Sequence, residues 1–181
     1  MKDCVVDNVK VIPMLPLKTS VELMIFATSI ASCGSLYIDA AKKLPNINFV
    51  CAGQGEYAEQ MKDAPNIKDV GFKTGDDLVR LITEAKFSVC PSEWYENCPL
   101  SVMESQKYGT PVIGARIGGI PELVIDGKNG LLFESGNAED LAERIRELWL
   151  KEDMLRYFER QCQEIGYDTA EEYVEKVYGI N

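Results

Sequence analysis

The sequence predicts an α/β protein: a doubly wound parallel sheet flanked by helices. Short apolar runs alternate with amphipathic stretches, the signature of successive strand-helix units. The chain has 181 residues, 46% of them hydrophobic and 27% charged, which suits one globular core. Glycine-containing and polar loops follow the apolar runs, as the carboxyl ends of parallel strands require.

Taken in order, residues 1–20 read as an extended lead-in, because Pro13 and Pro16 interrupt Val9 to Leu17 and oppose a central strand. Residues 21–181 form the domain. Its strands are expected at Leu23 to Ala27, Ile47 to Ala52, Ile67 to Gly71, Phe87 to Cys90, Val112 to Gly114 and Gly130 to Phe133. Helices are expected between them at Leu36 to Lys43, Tyr57 to Asp63, Asp76 to Thr83 and Pro99 to Tyr108. After the last strand, Asn137 with Asp140 resembles a helix cap with an acidic third position, and Leu141, Ile145 and Leu148 recur at helical spacing. Met154 to Cys162 and Thr169 to Tyr178 read as further helices, with the tail aromatics as packing residues.

Composition removes whole classes of function. A net charge of −10 opposes a broad grip on nucleic acid or an anionic membrane, so an anion must be held by local dipoles and a few cations. The chain has no His, which excludes imidazole as base, nucleophile partner or metal ligand. Its six cysteines form no C-x-x-C pair and read as small hydrophobes of a reducing cytoplasm. No signal pattern opens the sequence and no apolar run is long enough to span a bilayer.

Ligands of such sheets bind outside the carboxyl ends of the strands. The loops there are Ala27 to Ser35, Gly53 to Glu56, Phe72 to Asp77, Pro91 to Pro99 and Gly114 to Pro121. The fourth is the most informative. Pro99 suits the first turn of a helix with Asn97 or Cys98 at its cap, so the amides of Leu100 and Ser101 would face an anion at the positive end of the helix dipole. Glu104 follows Leu100 by four residues, one turn on and roughly 6 Å along the axis, about the reach from a phosphate to its ribose. A carboxylate there accepts two bonds from a ribose diol, while Glu96 faces the hydroxyls of a second sugar. Taken singly, each glutamate reads better as an incidental surface residue.

The run Pro91 to Ser105 contains an E-x7-E element, Glu96 to Glu104. With Tyr108-Gly109-Thr110-Pro111-Val112-Ile113-Gly114, Gly118-Gly119-Ile120-Pro121-Glu122-Leu123 and Asp126-Gly127-Lys128-Asn129-Gly130-Leu131-Leu132-Phe133, it resembles the carboxyl-terminal half of the retaining GT-B enzymes of glycosyltransferase family 4. The resemblance covers about residues 22 to 178. It implies a Rossmann-like donor-binding domain with extra C-terminal helices, a nucleotide-sugar donor, retention at the anomeric carbon and no required metal or cofactor. Carried over by position, it implies Glu96 and the following amides of Asn97, Cys98, Leu100 and Ser101 at the donor sugar and diphosphate, and Glu104 on the ribose. Phe72 and Lys73, in Val70-Gly71-Phe72-Lys73, would line the base, with a core aromatic as the competing reading of Phe72. Gly53 and Gly55 match the family's A-G-x-G loop, although a tight turn explains them equally well. Gly118 and Gly119 read as a close turn. Trp94 and Tyr95 read as a hydrophobic anchor or buried domain contact ahead of sugar stacking.

One loop departs from the family. Where its members carry G-R-L-x-x-x-K-G, an ungapped alignment on Gly34 puts Thr28 over the arginine and Cys33 over the lysine, so both diphosphate cations are missing. Ser32, Ser35 and the Gly34 amide offer weaker neutral contacts; Arg116 and Lys73 are the candidate substitutes from neighbouring loops, each read first as a solvated surface cation. The resemblance also implies an N-terminal acceptor domain, on the same full-length protein or a separate chain, to which the last helix crosses. It suggests cytoplasmic surface-glycan synthesis, with a partner or the missing domain as the route to the inner face of the membrane. A degenerate module that keeps the fold as a binding or assembly partner is the alternative reading. A nicotinamide-dinucleotide enzyme ranks low, because the first loop lacks G-x-G-x-x-G.

Overall fold

The computed structural model describes residues 22–26, 30–53, 57–168 and 170–179. The lead-in over 1–20, Thr28 and Gly55 lie outside the described residues. Six parallel strands are present: β1 (Glu22–Phe26), β2 (Asn48–Ala52), β3 (Ile67–Asp69), β4 (Ser88–Cys90), β5 (Val112–Ala115) and β6 (Gly130–Phe133). They form two hydrogen-bonded ladders, β1-β2-β3 and β4-β5-β6, in parallel register from Glu22 opposite Asn48 to Ala115 opposite Phe133. β1 lies alongside β4. The lateral order is therefore 3-2-1-4-5-6, and the chain reverses direction across the sheet between β1 and β4, where such sheets open a ligand crevice.

The helices are α1 (Ile30–Lys42), α2 (Ala58–Met61), α3 (Gly75–Glu84), α4 (Leu100–Lys107), α5 (Ile120–Leu123), α6 (Ala138–Leu150), α7 (Glu152–Gln163) and α8 (Ala170–Tyr178). Strand alternation sorts them onto faces. Phe49 and Cys51 of β2 join the cluster containing Leu36, Tyr37 and Ala40 of α1, while Val50 packs with Ile82 of α3 and with Tyr108 at the end of α4. α1 also packs on α6, and α4 on α5 and α7. The sheet is thus covered on both sides, and the strands read as continuous apolar runs for that reason.

Each expected strand and helix is present, most with an end moved by a residue or two and one with its start moved further. α1 begins at Ile30, six residues before the expected Leu36. Ser32, Cys33 and Gly34 are weak helix formers that read as loop, but tertiary packing overrides them. Gly34 is buried beneath the ring of Tyr57, and a Cβ there would lie 2.4 Å from it.

In α6 the Asn137 side chain accepts from the amides of Glu139 and Asp140, both at 3.1 Å, as the capping pattern predicts. Leu141, Ala142, Ile145 and Leu148 are its buried stripe. Leu155, Phe158 and Cys162 do the same for α7. The tail aromatics divide: Phe158 is buried, whereas Tyr157 and Tyr178 are exposed. On α8, Val174, Val177 and Tyr178 leave an apolar stripe facing solvent.

The cysteine reading holds for Cys51, Cys90 and Cys162, which are buried and not disulfide-bonded. It is corrected at Cys98, which is disulfide-bonded.

Candidate functional site: a helix start between two glutamates

The loop after β4 sits at the β1/β4 reversal and leads into α4. Its helix begins one residue later than the sequence suggests, with Pro99 itself at the cap position and no side-chain cap. The Val102 amide donates to the Pro99 carbonyl at 3.0 Å and Met103 at 3.4 Å. Among the described residues, nothing accepts from the amides of Leu100 and Ser101. These are the orphan donors that make a helix start receptive to an anion. Asn97 is exposed, Cys98 half-buried, Ser101 buried and Leu100 half exposed.

Glu96 is half-buried and held from below. The buried Ser92 hydroxyl shares its proton between Glu96 Oε1 at 3.2 Å and the Trp94 carbonyl at 3.1 Å, and accepts from the Trp94 amide at 3.3 Å. Ser135 Oγ donates to the Ser92 carbonyl at 3.2 Å, tying the loop to the end of β6. A second brace comes from the Gly118-Gly119 turn. The Gly119 amide donates to the Glu96 carbonyl at 2.7 Å, and a Cβ on Gly119 would stand 2.1 Å from the Asn97 oxygen. A Cβ on Gly118, at φ +56°, would stand 2.6 Å from the Glu96 oxygen. The glycine pair therefore does more than turn the chain: it lets two loops share one layer.

Glu104 points from the middle of α4. Burial raises its pKa above the usual carboxylate value, and it has neither an ion pair nor a side-chain hydrogen bond among the described residues. Tyr108, one turn later, is also shifted up, first by burial and then by the charges of Glu104 and Asp76. Asp76 belongs to the first turn of α3, so the end of the β3 loop lies within electrostatic reach of this face of α4.

On that loop, Phe72 is 64% exposed, which removes the core-aromatic reading. Lys73 is half-buried and unpaired among the described residues. Gly53 joins the same edge through its amide, which donates to the Gly71 carbonyl at 3.1 Å. Gly34 stands apart. As the fifth residue of α1 its amide falls within the helix's own bonding ladder, so an anion contact from it is corrected to a packing role under Tyr57. Cys33 also lies in α1. Arg116 is half-exposed and its guanidinium is 3.3 Å from Asp126, so it is a surface ion-pair residue.

Trp94 and Tyr95 are 67% and 85% exposed in this chain, so neither anchors the loop by packing within it. Sequence reasoning assigned no role to Ser92, although a hydroxyl two residues before a braced amide is a local turn signal. The roles of Ser135 and Asp76 depend on contacts between segments distant in sequence and left no local signal.

A cavity of about 740 Å³ lies elsewhere, between α4, α5 and the end of α7, with Met103, Leu123, Ile125, Gln161 and Tyr167 among its walls. None of the predicted site residues lines it. The Tyr167 hydroxyl donates to Gln106 there, and burial pushes its phenol well up. Among the described residues, no cluster of three Asp, Glu or Cys side chains is placed to hold a metal, and no helix is long and apolar enough to cross a membrane.

The profile of Glycosyl transferases group 1 matches residues 35–165, taking in both glutamates and the glycine turn. The chain belongs to this family. Within it, the chain is 34% identical over 125 residues to the uncharacterized glycosyltransferase MJ1178 of Methanocaldococcus jannaschii, covering 66% of this chain and 35% of the relative. It is 33% identical over 141 residues to the sulfoquinovosyl transferase SQD2 of Arabidopsis thaliana, covering 74% and 26%. Among solved structures, Anabaena HepE in complex with UDP superposes with a TM-score of 0.76 at 21% identity, over 88% of this chain and 48% of HepE. That likeness establishes the GT-B, Rossmann-like fold. The group 1 chain thus spans about a quarter to a third of these curated relatives and about half of HepE.

Proposed function

We propose that the chain is the nucleotide-sugar donor-binding domain of a retaining, family 4 glycosyltransferase of hexosyl type. It moves a sugar to a glycan or lipid-linked acceptor. One arrangement carries this reading: the uncapped start of α4, with the free amides of Leu100 and Ser101, between tethered Glu96 and unpaired, half-buried Glu104. HepE, similar in fold, has been solved with UDP and with UDP-glucose, which supports a nucleoside diphosphate as the ligand class.

In this reading the diphosphate lies against the two amides and the helix dipole. Glu104 accepts from the ribose hydroxyls, Glu96 from the transferred sugar, and Phe72 with Lys73 borders the base. When the bond from the anomeric carbon to the phosphate oxygen breaks, its electron pair leaves on the diphosphate. Each preorganised donor aimed at that developing charge is worth about 3 kcal/mol. With Thr28 and Cys33 where family members carry cations, more of that work falls on the amides of α4 and on Lys73. No metal is required.

The acceptor and a general base come from an N-terminal domain, on the same full-length protein or on another chain, in cytoplasmic surface-glycan synthesis. The apolar stripe of Val174, Val177 and Tyr178 supports that pairing, because a helix exposing such a face gains by burying it. Calorimetric titration of the chain with UDP, GDP and ADP and their sugar conjugates tests the proposal. Saturable 1:1 binding of one nucleoside diphosphate, weakened by Glu104→Ala, is expected. An intact fold that binds none of them contradicts it.

The absent cation pair favours one second reading, a degenerate module that serves as a binding or assembly partner. Thr28→Arg with Cys33→Lys separates the two. A large gain in diphosphate affinity indicates a decayed donor site, whereas no gain indicates a cleft put to another use.

A further inference from the structure

Trp94 and Tyr95 stand 67% and 85% exposed beside Glu96, where most other large aromatics among the described residues are buried or half-buried. Exposed aromatic rings are costly to hydrate and gain most from being covered by a ligand or partner. Their backbone is fixed rather than loose. Ser92 grips both the amide and the carbonyl of Trp94, Ser135 holds Ser92, and Gly119 holds the Glu96 carbonyl. Two rings with few rotatable bonds on a braced loop lose little entropy when covered.

Their surroundings narrow the choice of ligand. Glu93 is exposed, Glu96 is half-buried with one oxygen on Ser92, and Asn97 is exposed, so hydrogen-bond acceptors flank the rings. Acceptors of negative charge repel an anionic surface and suit hydroxyl groups. A ligand that offers hydroxyls at its rim and an apolar C–H face to an aromatic ring is a pyranose.

We propose that Trp94, with Tyr95 beside it, is a carbohydrate-stacking platform that reads the sugar ring at the mouth of the site. This rests on the donor-binding reading above. The pyranose has two sources, the donor's sugar or a saccharide of the acceptor, and the test has an arm for each. The chain, Trp94→Ala, Tyr95→Ala and Trp94→Phe are titrated with the nucleoside diphosphate that binds, with its glucose, galactose and N-acetylglucosamine conjugates, and with a neutral oligosaccharide.

A loss of about tenfold for a sugar conjugate in Trp94→Ala, with diphosphate affinity unchanged and Trp94→Phe near the parent, places the donor sugar on the platform. The same loss confined to the oligosaccharide assigns the platform to the acceptor. Equal affinities for every ligand overturn the proposal, as does a parallel loss for the diphosphate and its conjugates, which marks a loop-holding role. If the parent chain binds no nucleoside diphosphate, the donor-binding reading fails while the oligosaccharide arm still decides the platform, a parent chain that fails to bind it too overturning the proposal.

Discussion

At Glu104, burial and ligand recognition pull in opposite directions, and the sign of each can be worked out. Its pKa is raised in the folded state. The fold therefore keeps a proton on Glu104 at pH values where the unfolded chain has released it. Stability from this group is present at low pH and declines as pH rises through the raised value. Glu104→Gln removes the charge while keeping the shape, so urea midpoints measured between about pH 4 and 7 should favour the variant increasingly as pH rises. Ribonucleotide affinity should move the other way, falling about tenfold in Glu104→Gln at pH 7 because a charge-assisted pair of bonds is lost. Gly119→Ala tests the brace. Its Cβ would meet the Asn97 carbonyl at 2.1 Å, so a loss of about 1–3 kcal/mol in chemical denaturation is expected, together with weaker nucleotide binding. The E-x7-E spacing and the proline before α4 were legible in the sequence because they act within one local segment. The exposure of Phe72, Trp94 and Tyr95 was not, since an aromatic's burial is decided by neighbours from other segments.

At the level of elements, strand-helix alternation gave all six strands, and the Asn137 cap was readable because its acceptors lie within three residues. Asn137→Ala should cost about 1 kcal/mol by urea denaturation, since it strips the only side-chain cap observed among the described helices. It should leave nucleotide affinity untouched, because the cap bonds run only to the amides of Glu139 and Asp140 within α6. A fall in affinity equal to that of the glycine variant would break this separation of stability from site. The early start of α1 was hidden for the opposite reason. A Ser-Cys-Gly stretch carries a loop's local preference, and the packing of Tyr57 over Gly34 is invisible until the fold closes.

Across the whole molecule, the lateral order 3-2-1-4-5-6 sets the start of α4 at the sheet's reversal point, and the group 1 match gives that position its chemistry. The same architecture leaves the stripe on α8 uncovered. Val177→Glu should lower binding of an apolar dye to the chain without changing nucleotide affinity, and unchanged dye binding would remove the stripe as an exposed apolar face. The central claim concerns two backbone amides, and nuclear magnetic resonance observes them directly. On adding the nucleoside diphosphate, the Leu100 and Ser101 amide resonances should shift among the most strongly in the chain, following one binding isotherm. Saturated binding that leaves both resonances in place, with the large shifts elsewhere, would contradict the account.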